Sequence, residues 1–159
     1  MTDDVVRPLG DWIGDLHAAG DHALKIKNDL SYFARYLQIR PKTGSLEPFK
    51  FNAAQLELHR LIEEQKAKTG RVRVVVLKAR QLGISTYVAA RFYHKTISNP
   101  GLRCIILGHK VDASRNLFQI VKRFNDNLPA DMRPSIGVSN AEELLFGLRD
   151  IAEGCLTQR

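Results

Sequence analysis

The stretch Val72 to Thr86, VRVVVLKARQLGIST, constrains the fold more than any other in the chain. Five of the six residues from Val72 to Leu77 are branched aliphatics. Such a run predicts a strand covered on both faces, the kind found in parallel α/β sheets. Lys78 to Gly83 then reads as a tight loop, and Ile84 opens a helix. A strand that feeds a loop and a helix N-terminus is suited to holding phosphate. Its backbone N–H groups point at the anion, and the helix dipole favours the charge.

The familiar phosphate-loop pattern is G-x-x-x-x-G-K-[ST]. Aligned on Gly83 and Ser85, this loop departs from it twice: Lys78 stands at the first Gly, and Ile84 stands at the Lys. The second Gly, the hydroxyl, the preceding strand and the following helix remain, and a lysine is available at the opposite end of the loop. By pattern alone, an ordinary strand-turn-helix is the competing reading.

Charge placement bears on the choice. From Arg71 to Phe124 there are eleven Lys/Arg and one acid, Asp112, a net +10. The chain as a whole carries +7, so the remainder is −3. A basic block inside a predicted α/β core suggests a polyanion partner, nucleotide phosphates or nucleic acid. The alternative is a solvated basic helix face.

The chain of 159 residues is of single-domain size, and 44% hydrophobic with 26% charged residues is ordinary for a globular protein. No apolar run approaches the roughly 20 residues of a membrane span. The acidic start, MTDDVVRPLGDW, lacks a basic-then-apolar signal pattern. Cys104 and Cys155 lie far apart, Cys104 in a predicted buried strand, so free thiols and a cytoplasmic location are expected. His17, His22, His59, His94 and His109 show no ligand spacing and read as surface or helix-face residues.

Residues 1–20 read as an irregular lead. Asp21 is placed to cap a helix to about Gln38, with Leu24, Ile26, Leu30, Phe33, Leu37 and Ile39 as its apolar stripe. Pro41, Gly44 and Pro48 mark an extended connection. Asn52 is a good N-cap for a helix from Ala53 to about Lys68, ended by Gly70. The helix after the loop runs to about Ser98, and Asn99-Pro100-Gly101 is a turn. LRCIIL, Leu102 to Leu107, predicts a second buried strand. Asp112 or its neighbour opens a helix to about Asn127, stopped at Leu128-Pro129. Strand, helix, strand, helix in that order predicts a βαβα unit with parallel strands. Leu144 to Phe146 suggests a further short strand.

RPKTGSLEPFKFNAAQ, then VVLKARQLGISTYVAARFYH, then CIILGHKVDASRNLFQIVKRFNDNLP together resemble the N-terminal part of the ATPase domain of tailed-phage terminase large subunits. The resemblance covers roughly Ile26 to Leu148. That family is an ATP-driven motor that packages viral DNA into capsids, with a separate nuclease domain. One branch of it alters its phosphate loop as here, with Lys first and a non-Lys residue before the Ser. The resemblance implies an incomplete parallel-sheet P-loop fold, RecA-like, with N-terminal helices packed on it. The divisions would be a helical segment at 21–70, a partial ATPase core at 71–148 and an unmatched tail at 149–159.

The resemblance also implies roles. Gln55 matches the glutamine that reads adenine, and an amide suits the N6 and N7 edge of that base. Arg80, Gln81, Leu82 and Gly83 would form the loop backbone, with Gly83 allowing close approach to phosphate oxygens. Lys78 would reach the β and γ phosphates in place of a lysine at Ile84, with Arg80 the second candidate. Ser85 would put its hydroxyl on Mg²⁺, or Thr86 in its stead. Arg103, Lys110, Lys122 and Arg123 are candidate contacts for double-stranded DNA or a neighbouring subunit. ATP and Mg²⁺ are the implied cofactors. The implied partners are DNA, a small terminase subunit, a portal protein and other copies of the chain, in the cytoplasm of a host bacterium and without a membrane.

Hydrolysis in this family needs a strand of four apolar residues followed by Asp-Glu. No such stretch occurs here. LLFGLRD, ending at Asp150, is broken by Gly147 and Arg149, and Glu142 and Glu143 precede the apolar residues. A truncated ATP-binding piece is therefore expected, hydrolysing slowly or not at all. Two other functions fit the same residues: a fragment of a helicase-like translocase, and a non-catalytic basic module for DNA or a capsid component.

Overall fold

A computed structural model describes residues 20–41, 44–79, 81–99, 101–108, 110–139 and 144–146. The expected lead, apart from Gly20, and the expected tail lie outside them. The chain is helical over 20–28 (α1) and again over Leu30–Ala34 (α2). The single helix expected from Asp21 to Gln38 is divided at Asp29. That residue is extended (φ −115°, ψ 103°), and its carboxylate accepts from the Tyr32 N–H at 3.0 Å. An Asp competes with helical backbone bonding and is better used as a cap, so it starts a new helix. The expected extended connection then holds a two-residue pairing, β1 (Gln38–Ile39) antiparallel to β2 (Glu47–Pro48).

Helix α3, Ala53–Thr69, has the start and stop expected for it. Asn52 accepts from the Gln55 N–H, Gln55 accepts from the Asn52 N–H, and Gly70 closes the helix in the left-handed conformation at φ 68°. Helix α4, Ile84–Ser98, and helix α5, Val111–Asn127, also follow the sequence pattern. Helix α4 is the centre of the packing and meets α2, α3 and α5. Its buried residues Ile84, Tyr87, Ala90, Tyr93 and Ile97 recur every three or four positions. They share a core with Phe33 and Leu37, Phe49, Leu58 and Ile62 of α3, and Val121 and Phe124 of α5.

Polar bonds fix the helix pairings. Arg91 of α4 donates to Glu63 of α3 at 2.7 Å, and Tyr93 of α4 donates to the buried Asn125 of α5 at 3.1 Å. His94 lies on the buried face of α4, and its Nε2–H donates to the Ile26 carbonyl at 2.7 Å. Burial holds the His94 imidazole below its ordinary pKa. The folded state therefore binds this proton less readily than the unfolded state, and the stabilisation is complete above the ordinary histidine pKa, about 6.5. Stability is expected to fall as pH drops below that value. Urea denaturation of the wild type and His94→Gln between pH 7 and 5 checks this; the loss over that window should be smaller in the variant.

Two expectations fail in the fold. Residues 72–77 and 102–107, expected as buried strands, make no strand pairing. Val75 and Leu77 are 99% and 101% exposed, and Leu107 is 88% exposed. Cys104 is likewise an exposed free thiol. Apolar composition specifies a covered strand only where neighbouring strands and helices cover it. Among the described residues no strand lies beside either run. In the first run Gln65 of α3 bonds the backbone instead: its side chain accepts from the Arg73 N–H at 2.8 Å and donates to the Arg73 carbonyl at 3.3 Å.

The short strand expected at Leu144–Phe146 is present as β4, antiparallel to β3, Ile136–Ser139, with an irregular register between Ile136 and Val138. These two small antiparallel sheets neither build nor exclude a larger parallel one. Among the described residues no helix is long and apolar enough to cross a membrane.

Candidate functional site

The loop before α4 is built from left-handed residues. Gly83, the N-cap of α4, has φ 67° and ψ 11°, and Gln81 has φ 71°, the one positive value at a described non-glycine residue. Left-handed residues ahead of a helix turn backbone N–H groups into a concavity of the kind that holds anions. Gly83 is needed for a second reason. A Cβ at this position would lie 2.6 Å from Nε2 of Gln55.

The loop is tied back to α3 through its carbonyls. Nδ2 of Asn52 donates to the Leu82 carbonyl at 3.2 Å, and Nε2 of Gln55 donates to the Gly83 carbonyl at 2.8 Å. The N–H groups on the other side of the loop are left open. No side chain caps α4, and the first helical bond runs from the Tyr87 N–H to the Gly83 carbonyl at 3.1 Å. The N–H groups of Ile84, Ser85 and Thr86 therefore have no partner among the described residues. The dipole of a fifteen-residue helix adds partial positive charge at the same point.

The structure brings several expected residues together here. Gln55, 3% exposed, sits against Gly83. Its Oε1 also accepts from the Asn52 N–H at 2.9 Å, so one amide N–H and one lone pair remain beyond these bonds. Ser85 is exposed on the first turn of α4, Thr86 is half-buried, and Ile84 is buried in the core. Lys78, Gln81 and Leu82 are exposed along the loop. Arg80, and the acids Glu142, Glu143 and Asp150, lie outside the described residues. Of the candidate DNA contacts, Arg103 and Lys110 are exposed, while Lys122 and Arg123 are half-buried. The Lys122 ammonium lies 5.7 Å from the Phe118 ring centre.

Asn52 belongs to the site and was readable in the sequence only as a helix cap; the bond to Leu82 depends on a residue thirty positions away. The sequence also hides the polar group beside α4, in which Nδ1 of His59 is 3.0 Å from the Tyr87 hydroxyl. Burial lowers the His59 pKa and raises that of Tyr87. Among the described residues no group of three or more His, Cys, Asp or Glu is placed to hold a metal. Compared with models of known protein families and with curated proteins, the chain matches none.

Proposed function

We propose that the chain binds Mg-ATP at the N-terminus of α4, as the ATP-binding part of a DNA-packaging motor like the terminase large subunits it resembles. The observation that supports this is the division of the loop's polar groups. The Leu82 and Gly83 carbonyls are held by Asn52 and Gln55, and the N–H groups of Ile84 to Thr86 are open. In this reading those N–H groups bind phosphate oxygens and Lys78 neutralises the terminal phosphates. Ser85 offers its hydroxyl to Mg²⁺, and the remaining donor and acceptor of Gln55 meet the adenine edge. The residues fit a nucleotide's phosphates. They supply no acidic pair on an apolar strand, so binding with little hydrolysis is the proposed behaviour.

Titration calorimetry with Mg-ATP tests the proposal. A charge-assisted phosphate contact contributes about 1.5–3 kcal/mol, so Lys78→Ala is expected to weaken binding roughly tenfold or more. Ser85→Ala is expected to weaken Mg-ATP binding while leaving metal-free ATP binding nearly unchanged. Equal affinities across wild type and both folded variants would refute it.

The basic block supports a second reading, a DNA-binding module that ignores nucleotide. Arg103 and Lys110 are exposed and make no ion pair among the described residues. Duplex binding that weakens steeply with salt, with the same slope with and without Mg-ATP, is its expected signature. Arg103→Ala together with Lys110→Ala should then reduce the salt slope by about two.

A further inference from the structure

Between the α1–α2 junction, α3 and α4 lies a cavity of about 330 Å³, near the lower end of small-molecule pockets. It is lined by Lys66 and His59 of α3 and by Arg91 and Lys95 of α4. Lys95 is ten residues beyond Ser85 on α4, so the cavity is about 15 Å along the helix from the phosphate loop.

Its cations are unequally matched. Arg91 is spent on Glu63, with its side chain largely buried. Asp29, the other carboxylate on the wall, caps α2 by accepting from the Tyr32 N–H. Lys66 and Lys95 make no ion pair within 4 Å among the described residues, although both feel the Glu63 carboxylate on the same wall. Both line the same cavity, and burial, then the neighbouring Lys66 charge, hold the Lys95 ammonium below its ordinary pKa. Two ammonium groups lining one cavity repel.

His59 adds a neutral donor. The Tyr87 oxygen accepts from Nη1 of Arg91 at 3.4 Å, which leaves the hydroxyl proton for Nδ1 of His59 at 3.0 Å. The neutral imidazole then carries its own proton on Nε2. Two ammonium groups without a close ion-pair partner among the described residues and an imidazole N–H thus line one concave space.

We propose that this cavity is a second anion site, in which a small phosphate-bearing molecule bridges Lys66 and Lys95. The bridging oxygens would replace the repulsion between the two lysines with two charge-assisted hydrogen bonds. His59 would donate a third. The site is separate from the nucleotide loop in both position and residues, and the two stand or fall independently.

The test is thermal unfolding of the full chain in a Lys78→Ala background, which removes the loop's lysine from the response. Inorganic phosphate and glycerol phosphate are titrated separately against chloride at matched ionic strength. Phosphate is expected to raise the Tm in this background, and Lys66→Gln with Lys95→Gln added is expected to weaken the fitted affinity about tenfold or more. Lys66→Gln alone should raise the Tm without phosphate, because repulsion is relieved, and lower it relative to the parent at saturating phosphate. That crossover distinguishes a site from a merely structural lysine. A preference for glycerol phosphate over inorganic phosphate would identify a phosphate ester as the occupant, and the reverse would identify the free ion. No phosphate-specific stabilisation, or one that survives the double lysine replacement, would overturn the proposal.

Discussion

Phe124→Ala is expected to destabilise the protein by about 3–5 kcal/mol. Phe124 is fully buried and lies where the separate parts of the core meet. Its ring is stacked on Phe49, from the segment after β2, at 6.2 Å and 23°. It also packs at 6.2 Å from the ring of Tyr93, the α4 residue that bonds to Asn125. Truncation leaves a cavity that three elements would have to collapse to fill, and it loosens a buried hydrogen bond beside it. A domain of this size has about 5–15 kcal/mol of stability in all, so the variant is expected to be marginal at 25 °C. Urea denaturation measures the change. The exposed Leu61 is the control, and Leu61→Ala should cost about 0.5 kcal/mol or less. A loss under about 1 kcal/mol for Phe124→Ala would mean that α5 does not share the core described above.

Gly83→Val is expected to cost about 2–6 kcal/mol and to remove nucleotide binding with it. Two costs combine. A β-branched residue at φ 67° is strained by about 1–3 kcal/mol. The new side chain also starts 2.6 Å from Nε2 of Gln55, so the bond from Gln55 to the Gly83 carbonyl must break or the loop must move. Breaking it leaves a buried amide unsatisfied, worth a further 1–3 kcal/mol or so. Gly70→Val separates the two costs. Gly70 has nearly the same φ, 68°, yet nothing lies within 4 Å of a Cβ there. It should show the strain alone. Equal losses at the two positions would remove the case for a Gln55–Gly83 clamp.

The helices were legible because their signals are local. Asn52 with Gln55 three residues on, and Gly70 at the far end, set α3 to the residue at its start. The apolar period placed α4 and α5 in the same way. Asp29 shows the limit of the method: an apolar stripe ran through it, and a side chain that bonds its own backbone broke the helix regardless. The aliphatic runs at Val72 to Leu77 and Leu102 to Leu107 show a deeper limit. Their composition states a need for cover, and cover depends on partners at long sequence separation that the run itself does not encode. The same holds at the candidate site. Gly83 and Ser85 could be picked from a pattern, but the clamp from Asn52 and Gln55 across about thirty residues could not. The cavity beside α4 was illegible for the same reason, since Lys66 and Lys95 line it together only when α3 packs on α4.

The central claim, that open N–H groups at the start of α4 receive nucleotide phosphates, is tested most directly by amide chemical shifts during Mg-ATP titration. The largest shifts are expected at Gly83, Ile84, Ser85 and Thr86, saturating together and weakening in Lys78→Ala. Unmoved amides at these four residues, with shifts at saturating Mg-ATP confined to the basic residues of α5 or the Lys66–Lys95 cavity, would contradict it.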